Sequence, residues 1–133
     1  MSAVLADTQS IVWYLTRVSK LSPAAIAALD ASNLVGDPIY VATISIVEII
    51  YLVEKGRLPQ EVLDKLIEVL ADPVAGYKPI PLDVEIAQII HQIPRNVVPE
   101  MPDRIIAATA LYLGLPLVTS DHKIHATSVQ TIW

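Results

Sequence analysis

Cysteine is absent from the 133 residues of this chain. Disulfide bridges and thiolate–zinc sites are therefore excluded, and any metal must be held by oxygen or imidazole. A cytoplasmic location fits that absence. No apolar run approaches the roughly 20 residues that a membrane-spanning helix needs. The opening MSAVLADTQ lacks a basic stretch followed by an apolar one and a cleavage site, so a soluble, unexported protein without a membrane partner is expected. Charged residues are few, 17% against 53% hydrophobic. That profile is the opposite of disorder, and it predicts apolar surface buried between subunits as well as within one. Internal repeats, low-complexity segments and linkers are missing too. A chain of this length can build one hydrophobic core but not two, which predicts a single domain over 1–133.

Basic residues are also in the minority, 9 against 14 acidic, for a net charge of −5. Phosphate contacts come from Lys and Arg, so the sign argues against a nucleic-acid partner. The objection weakens once four of the carboxylates are set aside as cation ligands. The remaining surface is nearly balanced, and Arg104, Lys123 and Lys78 could supply a local basic rim.

What is present is an alternation of short β-branched runs with longer helical patterns, the signature of an α/β fold with a mostly parallel central sheet flanked by helices. Residues 2–6 read as a buried strand, Thr8 as a helix cap, and 9–16 as a helix containing Trp13 and Tyr14. Ser22-Pro23 opens a second helix that runs to about Leu34, ahead of the break at Gly36-Asp37-Pro38. A strand over 39–42 follows. Thr43 or Ser45 can cap a helix through about Glu54, and with Pro59 to Leu70 it forms a helical hairpin around Gly56. A third strand is predicted over 78–82, at an edge of the sheet because of Pro79 and Pro81. Helices over 83–92 and 103–113 flank an irregular stretch, and strands over 115–118 and 129–132 bracket a short helix at 122–126.

Four carboxylates, Asp7, Glu48, Asp103 and Asp121, each fall where a strand gives way to a helix or where a helix begins. In a parallel sheet all such points lie at the carboxyl edge, where ligands bind. Glu48 is expected to begin the helix after the second strand, in a polar stripe with Ser45 and Tyr51 on an otherwise apolar surface. Each acid has a plainer reading. Asp7 and Asp121 could cap helices, Asp103 could answer a helix dipole, and Glu48 could face solvent. Their coincidence favours a joint role, since gathered like charges need a cation or raised pKa values. All-oxygen ligands select Mg²⁺ or Mn²⁺, which leave coordination positions for phosphate. A phosphodiesterase activity with one or two such ions follows.

Thr8, Thr119 and Ser120 can orient water or phosphate there, or simply cap. His122 and His125 flank Asp121 and could touch phosphate, whereas His91 has a structural or surface role. Neither has a zinc-like partner set. Arg104 and Lys123, next to two of the acids, could contact substrate or merely be exposed. Trp13, Tyr14, Tyr51 and Tyr112 could stack bases, or pack in the core or at an interface.

The segments LADTQSIVWYL, SIVE, PEMPDRIIAATAL and GLPLVTSDHKIHA together resemble the four signature regions of PIN-domain proteins, VapC-type toxin ribonucleases in particular. The resemblance spans nearly the whole chain, in the family order. It implies a five-stranded parallel sheet between helices and Mg²⁺- or Mn²⁺-dependent cleavage of RNA. Asp7, Glu48, Asp103 and Asp121 would be the acidic quartet that holds the metal, and Thr119 the polar residue after the last core strand. Ser120 stands where many relatives carry a basic residue, which removes a basic substrate contact at that point. A homodimer is also implied, as is a cognate antitoxin whose tail places a basic side chain in the acidic site. The alternative is a PIN-like regulatory protein that acts through a complex with a DNA-binding partner and has little nuclease activity. A receiver or aspartyl-phosphate phosphatase fits less well, because Gln9 occupies the position of its second Asp.

Overall fold

Val4, Leu5 and Ala6 are all buried, so strand β1 (Val4–Ala6) belongs in the middle of a sheet covered on both faces. The computed structural model, which describes residues 2–133, places it there. The sheet has the order β3-β2-β1-β4-β5 and every neighbouring pair is parallel. Its other strands are β2 (Ile39–Ala42), β3 (Tyr77–Ile80), β4 (Leu117–Val118) and β5 (Thr131–Ile132). The helices are α1 (Thr8–Thr16), α2 (Pro23–Leu34), α3 (Thr43–Glu54), α4 (Gln60–Ala71), α5 (Val84–Ile89), α6 (Met101–Leu113) and α7 (His122–His125).

Side chains alternate across the sheet and divide the core in two. Val4 and Ala6 of β1, Ile39 and Val41 of β2 and Val118 of β4 pack against α1, α2 and α4. Leu5 and Leu117 point the other way, into the layer built on α5, α6 and α7. Each fully buried Leu or Ile in these layers contributes about 2 kcal/mol by transfer from water.

The expected order of elements holds, and the departures have local causes. Asp7, not Thr8, is the N-cap of α1: its Oδ1 accepts from the Ser10 amide at 2.8 Å. Neither Thr43 nor Ser45 caps α3, whose N-cap is Ala42 without a side-chain bond. Ser22 and Pro23 open α2 as expected. Strand β3 lies at the edge, as its prolines require, but spans 77–80 rather than 78–82, with Pro79 opposite Val41. Helix α6 starts two residues before Asp103, with Pro102 in its first turn where no amide partner is needed. It ends at Gly114, whose φ of 65° is the left-handed conformation of a helix C-cap.

Candidate functional site

Because the sheet is parallel, the chain leaves β1, β2 and β4 and enters α1, α3 and α7 on the same side, and the four acids follow. Asp7, Glu48, Asp103 and Asp121 all line one cleft of about 570 Å³, together with Thr8, Trp13 and Ser120. Asp7 emerges directly from β1 and its amide donates to the Val118 carbonyl of β4 at 3.1 Å. The buried Ser10 hydroxyl donates to the same carbonyl at 2.9 Å, fixing α1 to β4. Ser10 was not evident as a site residue from sequence; its position in a capping triplet after Asp7 is the only local signal.

Glu48 does not begin its helix. It is the sixth residue of α3, and it still lines the cleft. Thr8 Oγ1 lies 2.5 Å from Glu48 Oε1 and 2.8 Å from Ser45 Oγ. An ionised carboxylate only accepts, so the one hydroxyl proton of Thr8 is committed to Glu48 and fixes its orientation. The polar stripe on α3 is thereby split: Ser45 is buried against Thr8, while Tyr51 is exposed.

Thr119 is fully buried and joins two acids. Its Oγ1 accepts from the Asp121 amide at 3.0 Å, and its hydroxyl is hydrogen-bonded to Asp7, where it opposes the upward push of burial. Asp121 is the N-cap of α7, with Oδ1 accepting from the Lys123 amide at 2.9 Å. The capping readings of Asp7 and Asp121 are thus correct, and the cleft-lining readings hold beside them.

The electrostatics reflect this crowding. Burial raises the Asp7 carboxyl above the ordinary Asp range, with a further push from Asp121. Glu48 is raised by burial and by Asp7, against the Thr8 hydrogen bond. Asp103 is pushed up to about 6, first by burial and then by the charges of Asp121, Glu48, Asp7 and Glu100. Of these four carboxylates, Asp121, Glu48 and Asp7 line the same cleft as Asp103.

Among the described residues, no three His, Asp or Glu side chains are gathered closely enough to hold a metal by direct ligation alone. The donors nevertheless suit a hard cation. They are all oxygen, and Mg²⁺ keeps several waters while taking only one or two carboxylates, so an open acidic ring around a hydrated ion fits better than a closed cage. The Mg²⁺ or Mn²⁺ expectation is compatible with that ring, and Asp7, Glu48, Asp103 and Asp121 are the residues that could hold it.

Several expected substrate contacts are otherwise engaged. Arg104 turns away from the cleft: Nε donates to the Ile93 carbonyl at 3.1 Å, and Nη2 to those of Ile93 and Ile90 at 2.8 and 3.0 Å. His125 lies between the Thr119 carbonyl (Nε2, 3.0 Å) and the Thr131 hydroxyl (Nδ1, 2.9 Å). A carbonyl only accepts, so Nε2 carries the proton and Nδ1 accepts from Thr131. The ring braces the backbone behind Asp121 instead of reaching for phosphate. His91 is exposed, as expected. Lys78 lies over the Tyr40 ring at 6.0 Å from its centroid, on the far face of the sheet from α1. Tyr14 donates to Asp30 at 2.6 Å and accepts from Asn33. Of the four aromatic candidates, only Trp13 lines the cleft.

The PIN domain family model matches residues 4–129. Ribonuclease VapC22 of Mycobacterium tuberculosis is 28% identical over 127 residues, covering 95% of this chain and 92% of that one. Among solved structures, VapBC2 from Rickettsia felis, bound to a DNA fragment from its promoter, matches with a TM-score of 0.72 at 16% identity, over 97% of this chain and 96% of that one. FitAcB from Neisseria gonorrhoeae matches with a TM-score of 0.62 at 26% identity, over 96% and 95%. With its parallel five-stranded sheet, its acids at the carboxyl edge and a family match that runs from β1 past α7, the chain belongs to the PIN domain family.

Proposed function

We propose that this chain is a Mg²⁺- or Mn²⁺-dependent endoribonuclease, the toxin of a VapBC-type pair, and that 1–133 forms its single nuclease domain. The observation that carries the reading is the convergence of Asp7, Glu48, Asp103 and Asp121 on one cleft. Ribonuclease VapC22, similar along nearly its whole length, supports the choice of RNA as substrate. The absence among the described residues of a helix long and apolar enough to cross a membrane is compatible with a cytoplasmic setting.

Asp7, Glu48, Asp103 and Asp121 are the residues that would hold the cation. A divalent ion in such a site lowers the pKa of water and neutralises charge that develops on phosphate and leaving oxygens. The chain's own work is positional. Thr8 holds one oxygen of Glu48, the Ser10 amide holds one of Asp7, and the Lys123 amide holds one of Asp121. Each of these three acids would have its second oxygen for the cation or its waters, except that Thr119 also restrains Asp7. Pre-set carboxylates need no reorganisation as the reaction proceeds. A cognate antitoxin would neutralise the site with a basic side chain, because the mutual repulsion that raises Asp103 is relieved by a guanidinium as well as by a metal.

The test is cleavage of structured RNA with and without Mg²⁺ or Mn²⁺. The wild-type chain is expected to cleave only with metal and to leave 5′-phosphate ends, and Asp7→Asn is expected to be inactive. Metal-independent activity, or an active Asp7→Asn, would remove the nuclease reading, and an inert wild type that binds DNA with its partner would favour a regulatory one.

A further inference from the structure

A second groove, of about 530 Å³, opens directly off the acidic cleft. The two share Val12, Trp13 and Leu58, so they form one continuous surface depression. Their chemistry differs sharply. The second has an apolar floor that includes Val12, Leu15, Leu58 and Val62, and a rim of Arg17, Arg57 and Lys65 with one acid, Glu61. Three of the chain's nine basic residues thus line one groove of a protein whose net charge is −5. They arrive from three places: the end of α1, the α3–α4 connection and the second turn of α4. All three are exposed.

Trp13 stands at the junction. It is partly buried against the core and tilted at 47° to Trp133 with ring centroids 6.1 Å apart, so it is held in place before any ligand arrives. An indole fixed on one side and open to a groove on the other is a stacking platform for a base.

We propose that this groove is the path of the single-stranded RNA flanking the scissile bond, with Arg17, Arg57 and Lys65 on successive phosphates and a base stacked on Trp13. The proposal rests on the ribonuclease reading above. It resolves a difficulty in that reading, for an acidic cleft alone repels a polyanion, whereas a basic track leading into it delivers the strand to the cation. Sequence proximity does not reveal the track, and the basic residues beside the acids, Arg104 and Lys123, do not form it.

The experiment uses a labelled single-stranded oligouridylate with the Asp7→Asn chain in Mg²⁺, so that binding is read without turnover. Arg17→Ala, Arg57→Ala and Lys65→Ala are each added and compared with Lys78→Ala, which makes the same change in net charge on the opposite face. Each groove variant is expected to weaken binding severalfold and to flatten the dependence of log K on log salt by about 0.7 per lost contact. Lys78→Ala should leave both unchanged. Trp13→Phe should retain more affinity than Trp13→Leu at matched melting temperature. RNA affinity indifferent to the groove substitutions, or equally sensitive to Lys78→Ala, overturns the proposal and leaves this surface to a peptide partner. The underlying reading fails separately: groove-dependent binding by a wild-type chain that never cleaves upholds the track and sinks the nuclease.

Discussion

Asp7 is at once a helix cap and a member of a repelling cluster, and two substitutions separate those roles. Asparagine caps as well as aspartate does, so Asp7→Asn should keep the bond to the Ser10 amide, shed a charge that burial disfavours, and melt at or above the wild-type temperature. Asp7→Ala loses the cap and should be less stable than Asp7→Asn by about 1 kcal/mol in urea denaturation. Asp103 bears on pH. It titrates at about 6 in the fold against 3.8 as an ordinary Asp, so between those values the native state binds more protons than the unfolded one. Stability therefore falls as pH rises through that window and stays lowered above it. Asp103→Asn is neutral throughout, and in metal-free buffer it should melt higher than wild type above about pH 7 but level with it near about pH 4. A constant difference at both ends would mean that repulsion at Asp103 is not the cause.

Among the elements, α6 depends on a partner that local pattern does not disclose. Its Arg104 fork holds the carbonyls of Ile90 and Ile93, and Ile93 is fully buried. Removing a charged donor from such a carbonyl costs about 2 kcal/mol, and lysine lacks the planar fork to replace it. Arg104→Ala should lose that much stability, and amide exchange should quicken over residues 90–98 more than over α4. The same residue shows where sequence reading stops. Strand and helix order, the edge position of β3 and the placement of Asp7 and Asp121 follow from local signals: β-branched runs, Pro79, and acids just past strand ends, whereas Glu48 shows only as a polar residue on an apolar helix. Arg104 pairs with carbonyls 11 and 14 residues upstream, a separation without periodicity. The choice between Asp7 and Thr8 as cap was equally hidden, because both can cap and the backbone leaving β1 decides. The basic rim from α1, the α3–α4 connection and α4 becomes visible only when those elements are packed.

For the whole molecule, cation binding and assembly are both measurable as stability. With a Kd of about 1 mM and tenfold excess, Mg²⁺ should stabilise the wild type by about 1.4 kcal/mol, or roughly 4 to 7 °C, and Asp7→Asn should lose most of that gain in thermal melts. Helix α3 leaves Val47 and Tyr51 45% and 59% exposed on a nearly continuous apolar run. A homodimer that covers this face is expected in light scattering of the free protein, and a monomer at high micromolar concentration would count against it. The strand order, finally, sets a schedule. β1 lies between β2 and β4, and Leu5 pairs with Leu117 across almost the entire chain. During synthesis β1 can meet β2 early, but β4 and Asp121 emerge only after every element from β1 to α6. Asp7 and Asp121 thus become neighbours only once β4 has joined β1, and a nascent chain that stops short of β4 lacks the complete acidic ring.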